Sequence, residues 1–204
     1  MQDNYTRLGG HEVVIGRTQS GKTHYAVKAR ANFWRGPVLF FNPQGFPPPG
    51  DYIAVTGRDN LGQIMQALRA GLRLSYIPSD RDEIAEQELS CLVGAVFSAD
   101  WPQSGGLLFV ADESQDFSRP LRRIARRGLA RGVTGVFISQ RPAEMHNTLL
   151  TQAIRHVIFS SAWESQYFKR YGLDADKIAG LLAAAPKYSY LVVANGCISG
   201  PYQV

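Results

Sequence analysis

The chain has 204 residues, of which 45% are hydrophobic and 11% aromatic. That length and composition suit one α/β domain with a full core and argue against disorder. Formal net charge is +5, yet the six arginines between Ser118 and Gly132 exceed that whole surplus. The body is therefore near neutral and carries one basic stripe, which excludes a uniformly basic coat.

The N-terminal "MQDNYTRLGG" is polar and does not read as a signal peptide. "EVVIG" (12–16) predicts a buried strand, and a Gly-rich turn leads into a helix from about Gly21 to Trp34. "PVLFFNP" (37–43) is a second strand, and the prolines of "GFPPPGD" (45–51) forbid regular structure there. "DYIAVTG" predicts a short extended piece, "NLGQIMQALRAG" a helix and "LRLSYIPS" a strand. "RDEIAEQELSCLVGAVFSAD" is a long amphipathic helix with acids in its first turn, as the helix dipole favours. Cys91 lies in its apolar stretch and is expected to be a small buried hydrophobe. Cys91 and Cys197 lack metal-ligand spacing, give no disulfide scaffold, and fit a reducing compartment.

"GLLFVADE" (106–113) is the next buried strand, followed by the arginine helix and the strand "VTGVFISQ" (133–140). A helix from about Ala143, the strand "RHVIFSS" (155–161), and helices near 163–171 and 174–185 come next. "YSYLVVANG" and "CISGPYQV" predict a closing hairpin around Asn195-Gly196. Short apolar strands separated by helices indicate a mainly parallel sheet with helices on both faces. With no repeat or linker to divide it, a single domain over 1–204 is expected, without any apolar run near the roughly 20 residues of a membrane span.

"GRTQSGKT", from Gly16 to Thr23, fits G-x-x-x-x-G-K-[ST], the Walker A pattern, and lies between a strand and a helix as that mechanism requires. Backbone amides of Gly16, Arg17, Thr18, Gln19, Ser20 and Gly21 can curl around an anion, with the positive helix end aimed at it. Lys22 would reach the β- and γ-phosphates of ATP, and Thr23 would hold Mg²⁺. Asp112, ending an apolar strand in the Walker B manner, would complete the metal shell. Glu113 next to it would orient and polarise a water, a group that a small-molecule kinase would avoid because hydrolysis competes with transfer. Gln140 ends the following strand and can contact the γ-phosphate or the water.

The run "RRGLARGVTGVFISQRPAEMHNTLLTQAIRHVIFSS" resembles the core of the FtsK–HerA superfamily of DNA-pumping ATPases, over roughly Val13 to Ser161. "VLFFNPQG" resembles that family's second strand, with Asn42-Pro43 where an aspartate-proline turn is usual. A bare motor core is similar to the packaging ATPases of tailless, membrane-containing double-stranded DNA viruses. The resemblance implies a RecA-like P-loop fold and a soluble DNA translocase that loads a viral genome into a preformed capsid at a packaging vertex or in host cytoplasm. It also implies a ring, hexameric by preference, with an arginine supplied across each interface.

In the arginine helix, Leu121, Ile124, Ala125 and Leu129 form one apolar stripe, with Gly128 among them and Gly132 as the stop. The resemblance puts the trans-acting finger at Leu129, which is no arginine, so the role falls to Arg131 or Arg127, with Arg131 favoured. Arg122 and Arg126 become candidates for DNA phosphates, while Arg119 and Arg123 fit a solvated helix face. "GFPPPGD" and "SQDFSRP" are candidate pore loops. Alternatives are a Zot-type phage-assembly ATPase, a nucleoside or nucleotide kinase, and an ATP-gated scaffold on a membrane or capsid.

Overall fold

A computed structural model describes residues 10–46, 48, 50–57, 60–102, 105–159, 168 and 173–204. The predicted helix at 163–171 lies almost wholly outside these residues, as do the last two positions of the strand predicted at 155–161 and part of the proline loop.

Among the described residues, nine strands make one sheet. They are β1 (His11–Ile15), β2 (Val38–Phe41), β3 (Ile53–Thr56), β4 (Arg73–Ile77), β5 (Leu107–Ala111), β6 (Val133–Ser139), β7 (Ala153–Phe159), β8 (Ser189–Ala194) and β9 (Cys197–Gln203). The order is β3-β4-β2-β5-β6-β1-β7-β8-β9. β1 to β7 run parallel, whereas β8 and β9 add antiparallel at one edge. β1, β2, β5 and β6 are buried at every position, as continuous apolar runs in a two-sided sheet must be. The closing hairpin turns at Asn195 (φ 51°) and Gly196 (φ 74°), the left-handed pair that a two-residue hairpin loop requires.

The helices are α1 (Lys22–Tyr25), α2 (Leu61–Arg69), α3 (Asp82–Ser98), α4 (Ser118–Arg127), α5 (Asn147–Gln152) and α6 (Ala175–Ala183). The apolar faces of α2 to α6 pack on one side of the sheet with Val13, Leu39, Phe109 and Phe137. α1 and its continuation cover the other side, through Tyr25, Ala26, Val27 and Ala31 against Val14, Phe40, Val110 and Ile138. Both faces are thus covered, but very unequally.

The predicted helix from Gly21 to Trp34 is a composite: α1 passes into a π-helical turn at Ala26–Arg30 and a 3₁₀ turn at Ala31–Phe33. The wider turn directs Ala26, Val27 and Arg30 inward together. Arg30 then reaches Glu12 of β1 at 3.5 Å, and Arg155 of β7 reaches the same carboxylate at 3.2 Å, with all three side chains almost fully buried. Removing one partner of such a buried cluster leaves uncompensated charge, at a cost of about 3–5 kcal/mol.

The segment predicted as a helix from Ala143 is a 3₁₀ turn at Pro142–Glu144, and α5 begins only after His146, whose ring accepts from the Thr148 amide at 3.1 Å. Two burial expectations fail. Cys91 is exposed, because α3 turns Leu89, Leu92, Val93 and Val96 to the core and leaves position 91 outside. Leu129 is 42% exposed, because α4 stops at Arg127 and the 3₁₀ turn at Leu129–Arg131 rotates it off the stripe that Leu121, Ile124 and Ala125 continue inward. Gly132 closes that turn at φ 68°, as a helix-stopping glycine should.

Candidate active site

The carboxyl ends of β1, β2, β5 and β6 converge, and each delivers polar side chains to one place. β1 leads into the Gly16–Thr23 loop, where Gln19 (φ 60°) and Gly21 (φ 105°) take left-handed conformations. Such alternation aims successive amides at one point and makes an anion nest. Gly16 is sterically required, since a Cβ there would lie 2.7 Å from Phe159 Cβ and 2.6 Å from Ser20 Oγ. Its amide donates to the Ser139 carbonyl at 3.3 Å, which ties the loop to the end of β6.

Lys22 is only 6% exposed, and its ammonium donates to the Arg17 carbonyl at 2.7 Å. Burial pushes its pKa down, opposed by the charges of Asp112 and Glu113. Thr23 Oγ1 donates to Asp112 Oδ2 at 3.2 Å. Burial, then the charge of Glu113, raises the Asp112 carboxyl to about 6. A buried carboxylate beside a hydroxyl is an oxygen donor pair suited to a small hard cation, which would relieve that unfavourable burial. Among the described residues no group of three or more His, Cys, Asp or Glu could hold a metal, so a cation here would need further oxygens from its ligand.

Glu113 takes a left-handed backbone (φ 48°), unusual for a residue with a side chain and a mark of local constraint. Its carboxylate is held by three glutamine amides. Gln44 and Gln140 both donate to Oε1, and Gln115 donates to Oε2 at 2.6 Å. Gln140 also accepts from the Thr18 hydroxyl through its own Oε1, so one amide links the phosphate loop to the glutamate. Gln115 is fixed in turn by Ser139, whose hydroxyl donates to its Oε1 at 2.8 Å. Arg141, next to Gln140, pairs with Asp116 and Glu144, each at 2.9 Å.

The residues singled out from sequence around the loop, Asp112, Glu113 and Gln140, therefore meet. Gln44 and Gln115 were missed. Gln115 lies inside "SQDFSRP", where Ser114 and Gln115 are buried and Ser118 Oγ donates to the Ser114 carbonyl at 2.7 Å, so this stretch is packed into the site rather than free. Asn42, in the place of the family's acid, turns away: its amide donates to the Phe46 carbonyl at 2.5 Å and to Ser75 Oγ at 3.3 Å. Gln44, two residues on, does the reaching instead. The available signal was a polar residue just beyond a strand destined to lie beside β5.

Arg127 and Arg131 lie elsewhere. α4 carries the chain from the site back to the amino-terminal edge of the sheet, where the Gly132 carbonyl accepts from the Leu107 amide at 2.9 Å. The seven residues of β6 separate that edge from Gln140, roughly 20 Å of strand. Neither arginine can reach its own chain's loop. Arg131 is half exposed beside Asp100 at 4.0 Å. Arg119, Arg122, Arg123, Arg126 and Arg127 line one shallow groove of about 310 Å³. Arg123 is not simply solvated, for its guanidinium sits 4.6 Å from the Phe97 ring centroid.

Against solved structures, the genome-packaging NTPase B204 of Sulfolobus turreted icosahedral virus 2, bound to ATPγS, superposes with a TM-score of 0.67 at 12% identity, over 96% of this chain and 98% of that one. The chain carries the P-loop ATPase fold. B204 of Sulfolobus turreted icosahedral virus, described as a DNA-packaging ATPase, gives a TM-score of 0.61 at 13% identity, over 96% and 98%. ATPases 2 and 3 of EssC from Geobacillus thermodenitrificans give 0.54 at 13% identity, over 93% of this chain but 38% of that one. No protein-family model matches the chain, and no curated protein matches it by sequence. Among the described residues, no helix is long and apolar enough to cross a membrane.

Proposed function

We propose that the chain is an ATP-hydrolysing motor that moves double-stranded DNA, and that its task is to package a viral genome into a preformed capsid. The observation that carries the hydrolytic reading is Glu113 held at the end of β5 by Gln44, Gln115 and Gln140, beside a phosphate loop that includes Lys22 and Thr23. The likeness to B204 over nearly the full length of both chains supports the packaging reading.

In this reading the amides from Gly16 to Gly21 cradle the triphosphate, and Lys22 neutralises charge at its β- and γ-phosphates. Thr23 and Asp112 would hold Mg²⁺, which when bound supplies charge neutralisation at the phosphate oxygens. Glu113 orients the attacking water and takes its proton as the water oxygen bonds to the γ-phosphorus and the bond from that phosphorus to the bridging oxygen breaks, releasing the nucleoside diphosphate. Its three amide partners fill Oε1 twice and Oε2 once, which leaves a lone pair of Oε2 for the water. Gln140 joins the loop to Glu113 and can signal whether a γ-phosphate is present. Arg131 or Arg127 acts on a neighbouring copy, which makes hydrolysis depend on a ring interface. The arginine groove on α4 contacts duplex phosphates without reading bases.

The test is ATP turnover with and without duplex DNA. Stimulation by DNA that disappears in Lys22→Ala and Glu113→Gln supports the motor. Efficient phosphate transfer to a nucleoside, or turnover indifferent to DNA, would refute it.

A further inference from the structure

The closing hairpin has no part in the reading above, yet its first residues lie against the phosphate loop. β8 is antiparallel to β7, with Tyr190 opposite Phe159, so β8 starts at the same edge of the sheet as the loop. Below the surface Tyr25, Phe159, Tyr190 and Tyr202 form a continuous aromatic layer, with ring centroids 4.8 Å apart for Tyr25–Tyr190, 5.3 Å for Phe159–Tyr190 and 5.6 Å for Tyr190–Tyr202. Tyr188 stands above that layer. A Cβ placed on Gly21 would lie 3.6 Å from Tyr188 Cδ1 and 3.8 Å from its Cβ, so the residue flanks the loop directly.

Three features set Tyr188 apart. It is 45% exposed, although its neighbours Ser189 and Tyr190 are buried. It occupies the third position of a turn closed by the Ser189 amide on the Pro186 carbonyl at 3.2 Å, with φ 67°. Turns of this kind reserve that position for glycine or asparagine, and a tyrosine held there is strained. Finally, Lys187 Nζ lies 4.9 Å from the ring centroid and covers one face. The turn is braced from outside by the end of β9, where the side-chain amide of Gln203 donates to the Lys187 carbonyl and the backbone amide of the next residue, Val204, donates to the Tyr188 carbonyl, each at 3.4 Å.

We infer that Tyr188 is the wall of a nucleobase subsite: its ring stacks on the purine of a nucleoside triphosphate whose phosphates lie in the Gly16–Thr23 loop. The inference rests on the proposed nucleotide site and names the residue that grips the end of the nucleotide remote from the chemistry. Stacking needs no base-specific hydrogen bond, so adenine and guanine are both accepted, and a ligand without a base loses the contact. The hairpin thereby gains a role as a brace that holds an exposed ring in a conformation its backbone would not choose.

The test compares ATP with inorganic tripolyphosphate, which shares the phosphates but lacks the base. Tyr188→Gly removes the ring and also relieves the strained φ, so the variant keeps its fold. Its KM for ATP is expected to rise about tenfold, with the loss in KM rather than kcat, while competitive inhibition by tripolyphosphate is unchanged. Tyr188→Trp should restore the wild-type KM, with its indole fluorescence quenched by ATP and not by tripolyphosphate. Equal weakening of ATP and tripolyphosphate in Tyr188→Gly, or an unchanged KM for ATP, would overturn the assignment. A wild-type chain that binds neither compound would overturn the phosphate site itself, and this subsite with it.

Discussion

The amide of Gln44 donates to Oε1 of Glu113 across 69 residues of sequence, joining the turn after β2 to the end of β5. The contact exists because β2 and β5 pair in parallel, with Phe41 opposite Ala111. It places a second donor on an oxygen that already accepts from Gln140.

Removing that donor should free the carboxylate. Gln44→Ala is expected to raise turnover in the absence of DNA, by about tenfold or more if the bond is an ordinary one to a charged group. The ratio of DNA-stimulated to basal rates should shrink accordingly. Steady-state ATP hydrolysis with and without duplex DNA measures both, and a fall in the basal rate would mean that Gln44 instead positions Glu113 productively.

Binding and chemistry should separate between the loop after β1 and the end of β5. Glu113→Gln is expected to keep nucleotide affinity while turnover drops by about 10²–10⁴, the range for loss of a positioned base. Lys22→Ala should lose affinity as well, because the only ammonium inside the loop is removed. Equilibrium binding of a non-hydrolysable ATP analogue beside turnover distinguishes them.

The arginines should be complementable only across subunits. Arg131→Ala and Arg127→Ala are each too far from their own loop to act there, so the one that serves as finger should be inactive alone. Mixed with Glu113→Gln subunits, it should recover part of the wild-type rate at interfaces that pair an intact arginine with an intact glutamate. A mixture no more active than its parts would place the arginines outside catalysis.

Acid should destabilise the fold through His11. Its ring is 1% exposed, Nδ1 accepts from the Gly135 amide at 2.8 Å, and burial lowers its pKa to about 4. The unfolded chain, titrating near 6.5, binds the proton first as pH falls. Stability is therefore fully present above pH 6.5 and declines as pH drops toward 4, by up to about 3 kcal/mol. Denaturant unfolding at pH 7 and pH 4 measures the slope, and His11→Asn, which keeps an acceptor without titrating, should reduce it and leave the share of His156, whose pKa burial also lowers to about 4.

Packing beneath the proposed finger should be unforgiving. A Cβ on Gly128 would lie 2.7 Å from the Val133 carbonyl oxygen and 3.1 Å from His11 Cε1. Backbone cannot step aside as a flexible side chain can, so Gly128→Ala is expected to cost about 1–3 kcal/mol by overpacking. Thermal unfolding reports the loss, and Gly62→Ala, with open space at its Cβ, is the control that should not destabilise.

The sequence by itself determined what depends on neighbours along the chain. Alternating apolar runs and helical stripes set a mainly parallel sheet, Gly16–Thr23 announced an anion loop, Asp112 and Glu113 ended an apolar strand, and Asn195-Gly196 closed a hairpin. These are short-range properties, written in period and turn chemistry. Tertiary structure alone decided which distant residues meet. Strand order brings β2, β5 and β6 side by side, which gives Glu113 its partner from Gln44, and β1, β7 and β8 side by side, which lays Tyr188 against Gly21. Periodicity also assumes a helix of constant pitch. Where α4 tightens into a 3₁₀ turn, Leu129 leaves its stripe. At Cys91 the run of apolar letters hid the face, because burial follows the angle around α3 and not the local hydrophobicity.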